Sequence, residues 1–307
     1  MINRLQRNPE TDYKLIFCLF IVGFVWGTTY LGIRVAVETI PPWFVTSIRQ
    51  TIASLILLMV LLYKKQLAWI GWDNFKTQLI PSLLMIVMAN GFTTIAEKTV
   101  PSSLAAIMSS ISPMIIFIGS IFMGLQRATF KGFLGLIVGF SGVAFIFREG
   151  LGQILDPNYG IGILFLSIAI LSWSAGVIYS KIKIQRTDVI ALSLFYQFLI
   201  SAVIQIVCAF IFSSDANPSD WSARSLMATV YLAVFGSVLA FFCYHYALKR
   251  VSTVQISILN YVNIIIAVFL GWLLLDEKVT SDIIIAAILI ILGVFIINYK
   301  KKIPKED

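Results

Sequence analysis

Two stretches of this chain, 96–147 and 247–298, can be laid over each other at a constant offset of 151 with no gap. That internal duplication constrains the fold more than any other feature. Ala96, Lys98, Val100, Ile107, Ile115, Thr129, Ile137, Gly142, Val143 and Ile146 meet Ala247, Lys249, Val251, Ile258, Ile266, Thr280, Ile288, Gly293, Val294 and Ile297, which is 10 identities in 52 positions. Apolar residues match one another easily, so the polar break carries more weight: Gln126-Arg127-Ala128-Thr129 falls in register on Glu277-Lys278-Val279-Thr280, between two apolar spans in both copies. A duplicated membrane unit follows, and if each copy holds an odd number of spans the copies lie upside down relative to each other.

The composition agrees. Apolar residues make up 59% of the chain and charged residues 12%, with a mean hydropathy of +0.92, which excludes an ordinary soluble domain. A hydrocarbon core ~30 Å thick takes roughly 20 helical residues to cross. Ten apolar runs meet that length, at roughly 14–33, 43–63, 79–97, 102–125, 131–148, 160–181, 188–212, 225–248, 253–275 and 281–299. The expected architecture is an all-α membrane protein of ten transmembrane helices, built as two inverted five-helix repeats over 14–148 and 160–299. The longest connections, 64–78, 149–159 and 213–224, are too short for a catalytic domain. The polar start carrying Arg4, Arg7 and Lys14 leads into an apolar run without a small-residue cleavage site, so it reads as a retained first span.

The net charge of +8 is a matter of orientation, not of nucleic-acid binding. With the amino terminus in the cytoplasm, inner segments carry 17 basic residues and outer segments 5 (Arg34, Lys98, Arg148, Arg224 and Lys278), and Arg49 lies within a span. Both termini are therefore expected inside. Cys18, Cys208 and Cys243 sit in apolar runs without ligand spacing and read as packed thiols. The aromatic segment 66–76 reads as an anchor in the headgroup layer.

Polar residues inside the spans are the functional candidates. Trp26 and Tyr30 share a face of span one, and Ser172-Trp173-Ser174 in span six echoes Val25-Trp26-Gly27. Asn90, Thr93, Thr94 and Glu97 form one stripe on span three, either a cavity face or ordinary interhelical glue. Span four offers Ser109 and a bend at Pro113; span nine offers Asn260, Tyr261 and Asn263; span eight ends in Phe241, Phe242, Tyr244 and His245. Arg49 costs ~2.5–3.5 kcal/mol at mid-depth, and either binds an anionic group or staples helices. His245 is either an interfacial residue or a proton-coupling one. Glu97 and Asp276-Glu277 are expected at outer helix ends, where hydration is accessible.

The order Trp26-Gly27, Pro41-Pro42, Arg49, Asn90, Pro113, Glu277 and Gly293 resembles the ten-helix, EamA-type branch of the drug/metabolite transporter superfamily. The resemblance covers nearly the whole chain. Two positions depart from it: the second middle proline is replaced by Ile264, and the acidic residue after the first middle helix by Gln126, so symmetric bending of spans four and nine is not expected from it. The resemblance implies a substrate site at the repeat interface, lined by spans one, three, four, six, eight and nine, in a bacterial cytoplasmic (inner) membrane. It also implies a small metabolite substrate such as an amino acid, moved outward, by a monomer or a homodimer. Lys249-Arg250 resembles the dibasic pair with which plastid phosphate-translocator relatives hold phosphate, and a cytoplasmic helix end demands the same charges.

Enzyme chemistry has little foothold. There is one histidine, and no GxSxG, HExxH or phosphate-binding glycine loop, and no metal or other cofactor is expected. Related four-helix exporters of cationic drugs rely on a glutamate in span one, and span one here has no carboxylate. The expected lining is therefore aromatic and neutral polar: Trp26, Tyr30, Trp173, Phe242 and Tyr261 with Asn90, Thr94, Ser109, Asn260 and Asn263. Aromatic faces supply a bare cation only ~0.5–2 kcal/mol each, so neutral or zwitterionic metabolites are favoured. The competing classes are a membrane sensor or assembly protein, a lipid-moving protein, and a cationic drug exporter.

Overall fold

The computed structural model describes residues 12–100, 105, 108–146, 159–183, 189–263, 265–266 and 281–298. Ten helical segments follow in the expected order: α1 (Tyr13–Ala36), α2 (Pro42–Tyr63), α3 (Gly71–Ala96), α4 (Ser112–Phe122), α5 (Phe130–Ile146), α6 (Gly160–Lys183), α7 (Ile190–Phe212), α8 (Ala223–Leu248), α9 (opening with Thr253–Ser257) and α10 (Ser281–Asn298). Six of them, α1, α2, α3, α6, α7 and α8, are long and apolar enough to cross a membrane. The molecule is inside-out by soluble standards. Phe17, Phe20, Met59, Phe210, Phe212 and Ile291 are exposed, while Gln50, Gln78, Gln197, Gln205 and Thr94 are buried. Lipid can cover the first group, and the second must find partners inside.

Helix pairing repeats the duplication. α1 packs on α8 and α3 on α6; α2 packs on α7, α4 on α9 and α5 on α10. Exchanging each helix for its counterpart five places on returns the same set of pairs, as a two-fold relation between copies requires. The α5–α10 contact depends on glycine: a Cβ on Gly293 would lie 2.6 Å from both the Gly135 carbonyl oxygen and the Gly139 nitrogen. The glycine spacing of span five thus allows main chains to touch, as small-residue interfaces do.

Three features depart from the expected pattern. α3 begins at Gly71, whose φ of +78° starts the helix inside the segment expected to lie separately in the headgroup layer. Trp69 and Trp72 there remain exposed and meet edge to face. Second, α3 and α8 each contain a wide π-helical stretch, Ser82–Asn90 and Leu232–Leu239. At the offset of 151 the first maps onto 233–241, so the same irregularity recurs in both copies. Third, α9 is interrupted by a turn at Ile258 although no proline stands there, alongside the turn at Ser110–Ile111 that leads into α4 ahead of Pro113. Ile264, Asp276, Glu277 and Lys278 lie outside the described residues.

Candidate functional site

A π-helix fits one extra residue into each turn and leaves main-chain carbonyls for outside donors. In α8, the Gly236 carbonyl accepts from Trp26 Nε1 at 3.2 Å, and Ser237 Oγ accepts from Arg49 Nε at 2.8 Å. Gly236 must lack a side chain, since a Cβ there would come 3.2 Å from Arg49 Nη2 and 3.1 Å from Thr29 Cγ2. In α3, the Ile86 carbonyl accepts from Gln205 Nε2 at 3.1 Å, and the Gln197 carbonyl accepts from Ser82 Oγ at 2.7 Å. Gln205 of α7 thus supports the irregular backbone of α3, while the Gln197 side chain donates to Gln78 Oε1 at 2.8 Å.

Between these two stretches lies a cavity of about 100 Å³. Trp26, Tyr30 and Thr29 face it from α1, Arg49 from α2, Asn90 and Thr93 from α3, Trp173 from α6, Phe241 from α8, and Asn260 and Asn263 from α9; Ser109 and Ser112 face it from the α4 region. Its polar equipment is specific. Arg49 is 2% exposed and, among the described residues, bonds only through Nε, so both Nη groups are left for the cavity. Among the described residues, Asn90 Nδ2 is buried without a partner. Asn263, with its amide turned to satisfy both neighbours, donates to the Gly23 and Leu259 carbonyls at 2.8 Å, so it fastens α9 to α1 at the cavity wall.

Trp26 meets Trp173 edge-on with centroids 5.2 Å apart, and Phe241 and Tyr244 complete the cluster at 5.5 and 5.0 Å from Trp26. Trp26, Trp173 and Phe241 line the cavity, and Tyr244 lies beyond them, further along α8 toward its carboxy-terminal end. On the other side of the cluster lie the carboxy-terminal halves of α1 and α3 and the amino-terminal half of α2.

Eight of the candidate residues therefore meet around one space: Trp26, Tyr30, Arg49, Asn90, Ser109, Trp173, Asn260 and Asn263. Four do not. Phe242 points outward and is 39% exposed; one residue is a 100° turn of helix, and Phe241 takes the inward place. Thr94 is fully buried and its hydroxyl donates to the Asn90 carbonyl one turn back at 2.7 Å, while Thr93, one step of helical rotation away, faces the cavity instead. Tyr261 packs where Gly139 leaves room, a Cβ there being 2.6 Å from its ring, and donates to the Leu136 carbonyl. His245 is 1% exposed and packed inside the protein; its Nδ1 lies 3.0 Å from the Phe241 carbonyl oxygen, and among the described residues its Nε2 has no partner. Glu97 also departs from expectation: it is fully buried, not hydrated.

Comparison with known proteins places this arrangement. The profile of the EamA-like transporter family matches the chain twice, over 13–148 and 160–299. The uncharacterized transporter YoaV of Bacillus subtilis is 26% identical over 283 residues, covering 92% of this chain and 96% of that protein. The uncharacterized inner membrane transporter YedA of Escherichia coli is 28% identical over 294 residues, covering 93% of each. A protein of known crystal structure shares the fold with a TM-score of 0.77 at 20% identity, over 94% of this chain and 98% of that one.

Proposed function

We propose that this chain, which belongs to the EamA-like transporter family, exports small neutral or zwitterionic metabolites of the amino-acid kind by alternating access. It is a membrane transporter and not an enzyme, and its partners are a small molecule and the bilayer. The inner membrane location stated for the Escherichia coli relative supports a bacterial cytoplasmic membrane for this chain too, and the bias of basic residues supports both termini inside. The five-helix units 14–148 and 160–299 are the bodies that rock against each other. One chain encloses the cavity, so one copy is the unit of transport whether or not chains pair.

The observation that carries the substrate class is the pairing, in one aromatic-walled space, of the free Nη edge of Arg49 with the unpartnered Nδ2 of Asn90. A guanidinium edge matches a carboxylate, an amide adds a second donor, and Trp26 and Trp173 offer faces to an ammonium or an apolar side chain. A volume of about 100 Å³ is below the ~300–1,000 Å³ of drug pockets, so a small body fits this state and a polycyclic cation does not.

Overexpression should protect cells against toxic neutral amino-acid analogues and lower their intracellular level. Asn90→Ala should abolish protection while the protein still reaches the membrane. Protection against ethidium-like cations, without protection against the analogues, would return the assignment to drug export.

A further inference from the structure

We propose that Glu97 is a proton-binding site linked to the cavity through Arg49, so that the carrier takes up a proton together with the carboxylate of its substrate. This rests on the reading of Arg49 as the carboxylate anchor.

Glu97 directly follows the last turn of α3. Its side chain is fully buried and, among the described residues, neither carboxylate oxygen has a hydrogen-bond partner. A carboxylate so placed keeps its charge only against nearby cations; otherwise it takes a proton. The guanidinium groups on the helices that pack around this turn are Arg34 of α1, bonded to it, and the buried Arg49 of α2, the helix packed on the end of α3. Arg34 Nη1 is engaged 2.7 Å from the main-chain oxygen of Glu97 itself, and Arg49 Nε is engaged by Ser237. The other titratable group facing Glu97 among the described residues is Tyr30 of α1. α6 packs on this turn through Gly162 and brings no charged residue along 160–170.

Arg49 therefore serves two anions. While Glu97 is ionised it offsets the charge of Arg49, and a substrate carboxylate arriving at the Nη edge competes with it. Once Glu97 is protonated, the guanidinium charge is left to the substrate. The linkage is reciprocal: the proton strengthens carboxylate binding by the same factor as the carboxylate strengthens proton binding. The balance is simple. One zwitterion and one proton enter, Glu97 passes from carboxylate to carboxylic acid, and both leave together on the far side. In the outward direction, an accumulated metabolite would carry one proton out with it.

The test uses the full chain in lipid nanodiscs with L-leucine as probe, across about pH 5–8. Binding is read by the fluorescence of the cavity tryptophans, and protonation by the carboxylic C=O stretch in infrared difference spectra. L-Leucine should bind about tenfold tighter at the acid end, and its addition should increase the carboxylic band. Glu97→Gln should remove that band and hold affinity at its acid value at every pH. Glu97→Asp, which keeps a titratable group, should keep both effects and so controls for misfolding. A band that persists in Glu97→Gln, or pH-dependent binding that survives it, overturns the proposal. If L-leucine binds at no pH while the Glu97 band titrates, the substrate reading falls and the proton site stands.

Discussion

Arg49 is held by one bond and offers the rest of its guanidinium to the cavity, and that division of labour is sensitive to chemistry that charge alone does not capture. Lysine at this position keeps the charge but has neither the Nε donor that reaches Ser237 nor the flat two-donor edge. Arg49→Lys should therefore weaken substrate binding by about tenfold, the size of one charge-assisted hydrogen bond, with normal membrane insertion. Titration of tryptophan fluorescence in detergent checks it, and an unchanged affinity would assign Arg49 to stapling α2 to α8. The neighbouring phenylalanines allow a sharper comparison. Phe241→Ala should lower transport because its ring touches both Trp26 and Trp173, whereas Phe242→Ala should leave transport near the native level. Equal loss in both would place the wall one residue further on than its geometry indicates.

The paired π-helices are the elements on which the site is built, and each depends on a side chain from another helix. Gln205→Leu removes the donor to the Ile86 carbonyl and leaves a buried main-chain acceptor unpaired, at a cost of about 1–3 kcal/mol. It should lower the melting temperature of the purified protein by several degrees, measured by differential scanning fluorimetry, although Gln205 is not a cavity residue. The sequence carried part of this element-level picture. Helix number and the duplication were legible because lipid selects apolar runs of a fixed length, and the polar break between two of them recurs in register. Trp26 and Trp173 were legible as counterparts because they hold equivalent places in the two copies. The π stretches were not, because their residues are apolar and differ in no visible way from those of an α-helix. Thr93 and Thr94 both lie about one turn from Asn90, and nothing in the sequence says which of the two faces the cavity. Phe242 was misplaced by a single step of helical rotation. The burial of Glu97 was hidden because it depends on how α1 and α2 close over the end of α3, which no local pattern records.

At the scale of the molecule, the cavity and the aromatic cluster are stacked along the helices, and the stacking makes accessibility a test of both orientation and state. Lys98 is exposed beyond the end of α3, Thr93 lines the cavity one turn or so deeper, and Tyr246 lies past the cluster toward the termini. With the termini inside, as the basic-residue bias implies, Lys98 and Thr93 share the outer side of the cluster. In a background with Cys18, Cys208 and Cys243 replaced, cysteine at 98 should react fast with an impermeant maleimide in intact cells. Cysteine at 93 should react more slowly and be shielded by substrate, and cysteine at 246 should react only after the membrane is opened. Reaction at 246 but not at 98 in intact cells would invert the assigned topology. Reaction at 98 with silence at 93 would keep the topology and mean that the cavity is sealed from both sides in the resting carrier. Adding a saturating substrate distinguishes the remaining case. A carrier that alternates should lose labelling at 93 and gain it at 246 in inside-out vesicles, because the rings that line one side must part when the helices around the outer half come together. A binding or sensor protein that never moves its substrate across would protect 93 and leave 246 unchanged.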